Sequence, residues 1–261
     1  MKKTKIIILG SGDSYGIPRI DGDWGRVDRK NPKNQRMRCS LFIKYLNISI
    51  IIDTSPDIKK QLIKNNIKKI NAIIYTHDHA DQVHGINELR YFFYKYKKKI
   101  SVYGNIKTIN SIIKCFKYLF RKTGVLYRPI FKEKIIKNKF LIKNNSSYIK
   151  FESIKIDHGE TPTYGFIFNK IAYLSDCKSI PTDSLKKLLK LKLLIIDCLK
   201  FKKHKTHLNY KECLKIIKLI KPKKIILTNL HSDMDYKKLK NKIKKKYNNI
   251  FPAYDGMRIT I

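Results

Sequence analysis

The 261-residue chain carries 58 Lys and Arg against 20 Asp and Glu, a net charge of +38, and has no apolar run approaching a membrane span. That length accommodates one large α/β domain with a sizeable core, read here as a single unit over residues 1–261. Five scattered cysteines without a C-x-x-C spacing, and the absence of an apolar leader after Met1, exclude a disulfide framework and point to a cytoplasmic home.

Lysine dominates the basic residues beside abundant Ile and Asn. That trio suggests drift in an A+T-biased genome more than the clustered Arg of a nucleic-acid surface. Either origin yields a positive field that steers anionic ligands and makes their association salt-sensitive.

Residues 5–9 predict a first strand running into Gly10-Ser-Gly-Asp-Ser-Tyr-Gly-Ile-Pro18, where glycines permit tight turning and close ligand approach. Residues 19–38 are polar and predict a loop that ends in Arg36 and Arg38. Residues 40–45 and 48–52 predict a hairpin around Leu46-Asn47, the second strand ending at Asp53. Ser55 and Pro56 predict the cap and first turn of a helix reaching about Asn65.

The apolar run 70–75 predicts a buried strand that stops at His77. His77, His79 and Asp81 therefore project from a strand end into a turn, where two imidazoles and a carboxylate can converge on a divalent cation. A helix over 86–97 carries Tyr91, Phe92, Phe93, Tyr94 and Tyr96. Such a stripe beside lysines can stack bases, but it reads more readily as core.

A strand at 100–103 and a helix at 106–120 follow, and 121–145 predicts only short strands and loops. Strands at 148–156, 164–168, 171–175, 192–196 and 224–227 come next, one of them ending at Asp157-His158-Gly159. Asp176, at another strand end, reads either as a metal ligand or as a helix cap. Asn209 predicts the cap of a helix to Lys221, a basic helix covers 237–246, and a closing strand covers 257–261.

The T-H-x-H-x-D segment resembles the signature of the metallo-β-lactamase superfamily. Residues 76–90, T-H-D-H-A-D-Q-V-H-G-I-N-E-L-R, are most similar to the branch containing the cyclic phosphodiesterase of phosphonate breakdown. The G-x-G-x-S-x-G-x-P of residues 10–18 and the N-x-R-x-R-x-S of residues 34–40 match the same branch. The resemblance implies a four-layer αββα sandwich with His77, His79, Asp81, His158 and Asp176 as metal ligands. It implies that Asp53, with His84, orients the metal loop from behind. It further implies His207 of the H-x-T-H stretch as general acid, with His204, Arg36 and Arg38 as substrate-binding candidates, the two arginines reading equally well as pins that hold their loop.

The chain departs from that pattern in three places. Relatives often carry cysteines for a structural zinc within 19–38, and this chain has Asp23, Trp24 and Asp28 there instead. Gln82 and Asn229 stand where the branch has second-metal imidazoles, leaving His231 as the remaining candidate imidazole. The reading is therefore a Zn²⁺- or Mn²⁺-dependent phosphodiesterase with one tight metal and a weaker second site. Asp81 and His207 would act in catalysis on a small anionic phosphodiester. RNA is a conceivable substrate, a membrane is not a partner, and homodimerisation stays open. The alternatives are an RNA-processing nuclease resembling ribonuclease Z, or a non-catalytic anion- or nucleic-acid-binding module on the same fold.

Overall fold

Long apolar runs in this chain split their side chains between two buried faces. Ile6 and Ile8 enter one hydrophobic cluster and Ile7 and Leu9 another, as period-two alternation requires of a strand covered on both sides. The structure, a computed structural model, describes residues 2–125 and 128–261.

The first sheet begins with β1 (Thr4–Gly10), β2 (Ser40–Tyr45), β3 (Ile48–Ile52), β4 (Ala72–Ile74), β5 (Ile100–Gly104) and β6 (Phe131–Ile135). The second contains β7 (Lys139–Asn144), β8 (Ser147–Ile156), β9 (Thr163–Phe168), β10 (Ile171–Leu174), β11 (Leu193–Asp197), β12 (Lys224–Thr228) and β13 (Ile250–Pro252). The last strand, β14 (Arg258–Thr260), returns to the first sheet. Each sheet has seven strands, ordered β14-β1-β2-β3-β4-β5-β6 and β13-β12-β11-β10-β9-β8-β7. Strands β3 to β6 are mutually parallel, as are β10 to β13.

The helices are α1 (Ile58–Lys64), α2 (Ala80–Val83), α3 (Arg90–Tyr96), α4 (Ile106–Cys115), α5 (Lys117–Phe120), α6 (Thr182–Lys187), α7 (Tyr210–Ile220) and α8 (Tyr236–Lys244). They cover the outer faces. Ile58, Leu62, Ile109 and Ile112 pack with Ile51 and Ile73 on the first sheet, and Cys213, Ile217 and Leu239 with Leu194 and Ile196 on the second. Between the sheets, Ile43, Ile50 and Ile74 meet Phe151, Phe166 and Ile195. This is the αββα sandwich, held chiefly by three apolar layers in which each fully buried Ile or Phe is worth about 1.5–3 kcal/mol.

Several local expectations need correction. Ser55 does not cap α1; its hydroxyl contacts Gln61 Oε1 at 3.2 Å and the helix starts after Asp57. The segment after the histidine motif is a short helix, then a 3-10 turn over His84–Leu89, then α3. The aromatic stripe is not mainly core: Phe92 is buried, while Tyr91, Tyr94 and Tyr96 are exposed. The helix expected over 106–120 breaks at Phe116. Within 121–145, β6 lines one sheet edge and β7 the other, paired with β8. Residues 126 and 127 of that segment lie outside the described residues. Asn209 does cap α7, in a reciprocal capping box with Glu212, and a left-handed Lys221 ends that helix before Pro222. No helix among the described residues is long and apolar enough to cross a membrane.

Candidate metal centre

The carboxyl ends of β3, β4, β10, β11 and β12 open on one edge of the sandwich, and each delivers a polar residue there: Asp53, His77, Asp176, Asp197 and Asn229. In a parallel sheet such ends form the crevice where ligands bind. The turn after β4 is locked to the end of β3 by Thr54 N–H donating to Gln82 O (2.7 Å) and Gly85 N–H donating to Thr54 O (2.9 Å). Gly85 has to be glycine here, because a Cβ would collide with the Ser55 carbonyl.

His77, His79, His158 and Asp176 form one group whose four candidate ligand atoms all lie within 4.8 Å of one another. The hydrogen bonds around it settle the tautomers. Asp53 Oδ1 accepts the Thr76 N–H and its Oδ2 accepts the Thr76 hydroxyl, each at 2.9 Å. The Thr76 proton is thereby used, so the 2.9 Å contact between Thr76 Oγ1 and His77 Nδ1 must be donated by the imidazole. His158 Nδ1 likewise donates to the Thr206 carbonyl at 2.9 Å, since a carbonyl only accepts. In both rings Nε2 is left facing the group, as a lone pair whenever the imidazole is neutral. His79 has its Nε2 on Thr161 Oγ1 at 3.0 Å, which frees Nδ1.

Such an arrangement suits a cation. His77 Nε2 is fully buried without a hydrogen-bond partner and sits 3.3 Å from Asp176 Oδ2, with His158 Nε2 at 3.9 Å from the same oxygen. Lone pairs and a carboxylate facing one another repel unless a positive charge lies between them. Burial opposes a proton on His77, yet Asp176 pulls its pKa up; burial drives His158 down to about 4 and lowers His79 as well. Three imidazole nitrogens and one carboxylate oxygen suit a transition metal, and the residues present fit that ion.

Beside the group lies a cavity of about 320 Å³ lined by Asp13, Tyr15, Asp81, Lys200, His204 and His207, among others. His207 donates from Nδ1 to Asp197 Oδ2 at 2.8 Å, and its ring centroid is 4.7 Å from that of His158. Burial disfavours charge on His207, but Asp197, with Asp176 and Asp81 behind it, raises its pKa to about 9. Burial, reinforced by Asp176, raises Asp81 to about 6.

Residues 49–229 match the Beta-lactamase superfamily domain. The chain belongs to the metallo-β-lactamase superfamily. A crystallised diphosphatase of the PhnP family is 29% identical, with a TM-score of 0.87 over 99% of this chain and 97% of that one. That likeness places the chain in the PhnP-like branch of the superfamily. Zn²⁺-bound PqqB from Methylobacterium extorquens (15% identical, TM-score 0.73, 98% and 99% covered) shares the fold. So does the short form of human tRNase Z (18%, 0.69, 98% and 98%). An octanoyltransferase of Porphyromonas gingivalis (strain ATCC BAA-308 / W83) is 30% identical over 229 residues, 87% of this chain but 46% of that protein. The chain thus spans about half that relative's length, and the named activity is said of the whole relative.

In this superfamily member the remaining sequence-derived candidates divide. Asp81, His204 and His207 line the cavity together with His79, His158 and Asp176 of the group. Asp53 stands behind His77 as expected, at a left-handed φ of 63°. His84 does not orient the metal loop: it is exposed and stacks edge-on against Phe116 at 5.8 Å. His231 lines the cavity but lies outside the four-residue group, its Nε2 3.2 Å from Arg19 and 4.0 Å from Asp13.

Arg36 and Arg38 are loop-pinning residues. Arg36 is buried and donates to the carbonyls of His231 (3.2 Å) and Met234 (2.6 Å) and to Asn34. Arg38 makes a two-pronged pair with Asp57 at 2.8 Å. Arg36→Ala should therefore cost about 2–4 kcal/mol of stability, read by urea denaturation, because buried carbonyls lose their donor. A variant as stable as the parent would show that these bonds are dispensable.

The residues that sequence reading missed are Thr76, Thr161, Thr206 and Asp197, which fix imidazole orientation. Asp197 left a signal as an acid at a strand end, and Thr76 and Thr206 stood inside the T-H-x-H-x-D and H-x-T-H stretches without a role read for them; Thr161 left no signal.

Gln82 and Asn229, at the positions where the resemblance led to an expectation of imidazoles, both turn amide NH₂ groups onto carboxylates. Gln82 Nε2 donates to Asp81 Oδ2 at 2.8 Å and lies 3.5 Å from Asp176 Oδ2, and Asn229 Nδ2 donates to Asp176 Oδ1 at 2.9 Å.

Proposed function

We propose that the protein is a metal-dependent hydrolase of small anionic phosphodiesters, working with one tightly held metal. The observation that carries this reading is the cavity that sets His207, oriented by Asp197, beside the His77–His79–His158–Asp176 group. The likeness to a diphosphatase at 29% identity supports phosphoryl chemistry.

The metal, Zn²⁺ or Mn²⁺, would be held by those four residues and would supply Lewis-acid polarisation and an acidified water. The chain's own groups do the rest. Asp81 accepts a proton from the attacking water, as a carboxylate ionised at neutral pH can. His207 donates from Nε2 to the leaving oxygen, since Nδ1 is committed to Asp197. Lys200 and His204 on the cavity wall offset the charge of the phosphodiester.

The test is a panel of bis-p-nitrophenyl phosphate, a ribose cyclic phosphate, a dinucleoside diphosphate and a precursor tRNA, each assayed with Zn²⁺ and Mn²⁺. Turnover of the small diesters supports the reading. Exclusive 3′ trimming of the tRNA would replace it with a processing nuclease.

The amide contacts to Asp81 and Asp176 stand in for a second cation, because an NH₂ group supplies positive partial charge where a metal would otherwise sit. Metal analysis after dialysis should return one ion per chain, with His231→Ala unchanged. The double variant Gln82→His/Asn229→His should gain a second. Two tight ions in the parent protein would refute the single-metal reading.

A further inference from the structure

At the end of the first sheet opposite the metal group, two cavities of about 540 and 200 Å³ meet at Lys69. The first is lined by Lys5, Lys44, Lys68, Lys69 and Arg258, and the second by Lys69, Lys98, Lys99 and Lys143. Neither has an acidic lining residue, and none of these cations belongs to the ion pairs found elsewhere on the surface. The crowding is felt locally: burial and the charge of Lys69 together lower the pKa of Lys44. In a protein this basic, lysines everywhere repel one another, but a continuous concave run without a single carboxylate is a specific arrangement.

The walls are apolar and aromatic. Ile7, Phe42, Ile67 and Ile259 floor the first cavity, and Phe92 and Tyr96 line the second. On α3, Tyr91 and Tyr96 are 62% and 38% exposed, and the Lys95 ammonium lies 5.7 and 5.5 Å from their ring centres. Lys69 also lies 5.7 Å from the Tyr96 ring centre. The Tyr96 hydroxyl is tied to the Lys68 carbonyl at 2.6 Å, so the ring is held at the junction of the two cavities. Core packing explains Phe92, on which Tyr96 stacks with ring centroids 6.4 Å apart, and Tyr91 lies beside the trough rather than in its lining; both tyrosines nonetheless remain exposed.

We propose that this trough is a binding site for single-stranded nucleic acid, separate from the hydrolytic cavity. Cations spaced along a groove follow a phosphate backbone, and exposed aromatic faces stack bases of any sequence. A membrane headgroup layer would need the cations on a convex surface, whereas these line a concavity. The separation follows from topology. Ser49, Asn71 and Lys99 lie at or just before the starts of β3, β4 and β5, whereas Asp53 and His77 follow the ends of β3 and β4. A strand of this length spans roughly 17 Å. A chain held in the trough is therefore not positioned for cleavage by its contacts there. The inference does not depend on the hydrolytic reading.

The probe is a fluorescein-labelled 12-nucleotide oligouridylate, followed by anisotropy across a salt series with the full-length protein. Lys68→Glu/Lys69→Glu/Lys98→Glu should weaken binding at least tenfold and flatten the log K against log salt slope by about 2, three phosphate contacts being lost. Lys237→Glu/Lys238→Glu/Lys244→Glu makes the same charge change on α8 and should have a much smaller effect. Tyr91→Leu/Tyr96→Leu should weaken oligouridylate about tenfold while leaving inorganic polyphosphate binding unchanged. Metal content and phosphodiester turnover should stay at parental values in all three, which also verifies folding. Equal losses from the two lysine sets would overturn the site. An unaffected oligouridylate in the tyrosine variant would overturn the assignment to nucleic acid.

Discussion

His158→Ala is expected to leave the protein folded, strip it of tightly bound metal and lower phosphodiester turnover by about 10³-fold. The magnitude follows from a Lewis acid worth several kcal/mol of transition-state stabilisation, each 1.36 kcal/mol being a factor of ten. The effect on metal should be as large because His158 is pre-set for coordination, its Nδ1–H on the Thr206 carbonyl at 2.9 Å and its Nε2 toward the cluster. Alanine removes a ligand that its neighbours cannot replace, and His77, His79 and Asp176 remain as an incomplete set. Thermal unfolding gives a second reading. A metal at a thousandfold excess over its Kd stabilises the folded state by about 4 kcal/mol, so the parent protein should gain Tm on metal addition and the variant should not. His77→Ala should behave alike with an added stability loss, since His77 is buried and anchors Thr76 and Asp53. Retention of full metal content by His158→Ala would dismantle the proposed centre.

The second large effect is at His207. Its replacement by Ala should lower kcat by about 10²–10⁴, the span of a lost general acid, while metal content stays at the parental level. Burial opposes the imidazolium, but the Asp197 carboxylate at 2.8 Å outweighs it and holds the pKa near 9. A raised pKa keeps the acid protonated through neutral pH. Activity that depends on it should be present below that pKa and fall as pH rises through it. A metal bound at Asp176 would partly offset the carboxylates behind the ring, moving this limb below 9 without removing it. Asp197→Asn should shift the limb to lower pH by removing the charge that holds the proton, and His207→Ala should abolish the limb. His204→Ala should change kcat far less, because its ring nitrogen has only the Thr206 N–H and hydroxyl at 3.4 Å and no carboxylate to hold a proton. A pH profile identical in parent and His207→Ala would remove the residue from the acid role.

The sandwich was legible because its strands advertise themselves. Runs such as Ile6-Ile-Ile-Leu9 and Leu193-Leu-Ile-Ile196 are too short for helices and apolar on both faces, which marks strands buried between two layers. The helix start at Asn209 was legible for an equally local reason, a capping box being contained within four residues. The break at Phe116 and the exposure of Tyr91 and Tyr96 were not. Apolar spacing says that a segment can be buried, but which side a neighbouring element covers is settled elsewhere in the chain.

The same division runs through the site. The sequence by itself determined the candidate donor types and their placement at strand ends: His77 and His79 in one turn, with His158 and Asp176 after two other strands taken as ligands on the strength of the resemblance. A strand's direction decides which end of a sheet its last residue reaches, and that direction is written in the order of elements. What only the tertiary structure decided is where every partner atom goes. Arg36 read equally as a phosphate contact or a loop pin, and the fold spends it on backbone carbonyls from residues near 231, almost two hundred positions away in sequence. His231 was left as the one spare imidazole and faces Arg19 and Asp13. Gln82 and Asn229 were visible as substitutions, but their orientation toward Asp81 and Asp176 was not. A buried polar atom takes whichever complementary partner the assembled fold brings within about 3 Å, and a linear pattern does not encode that distance.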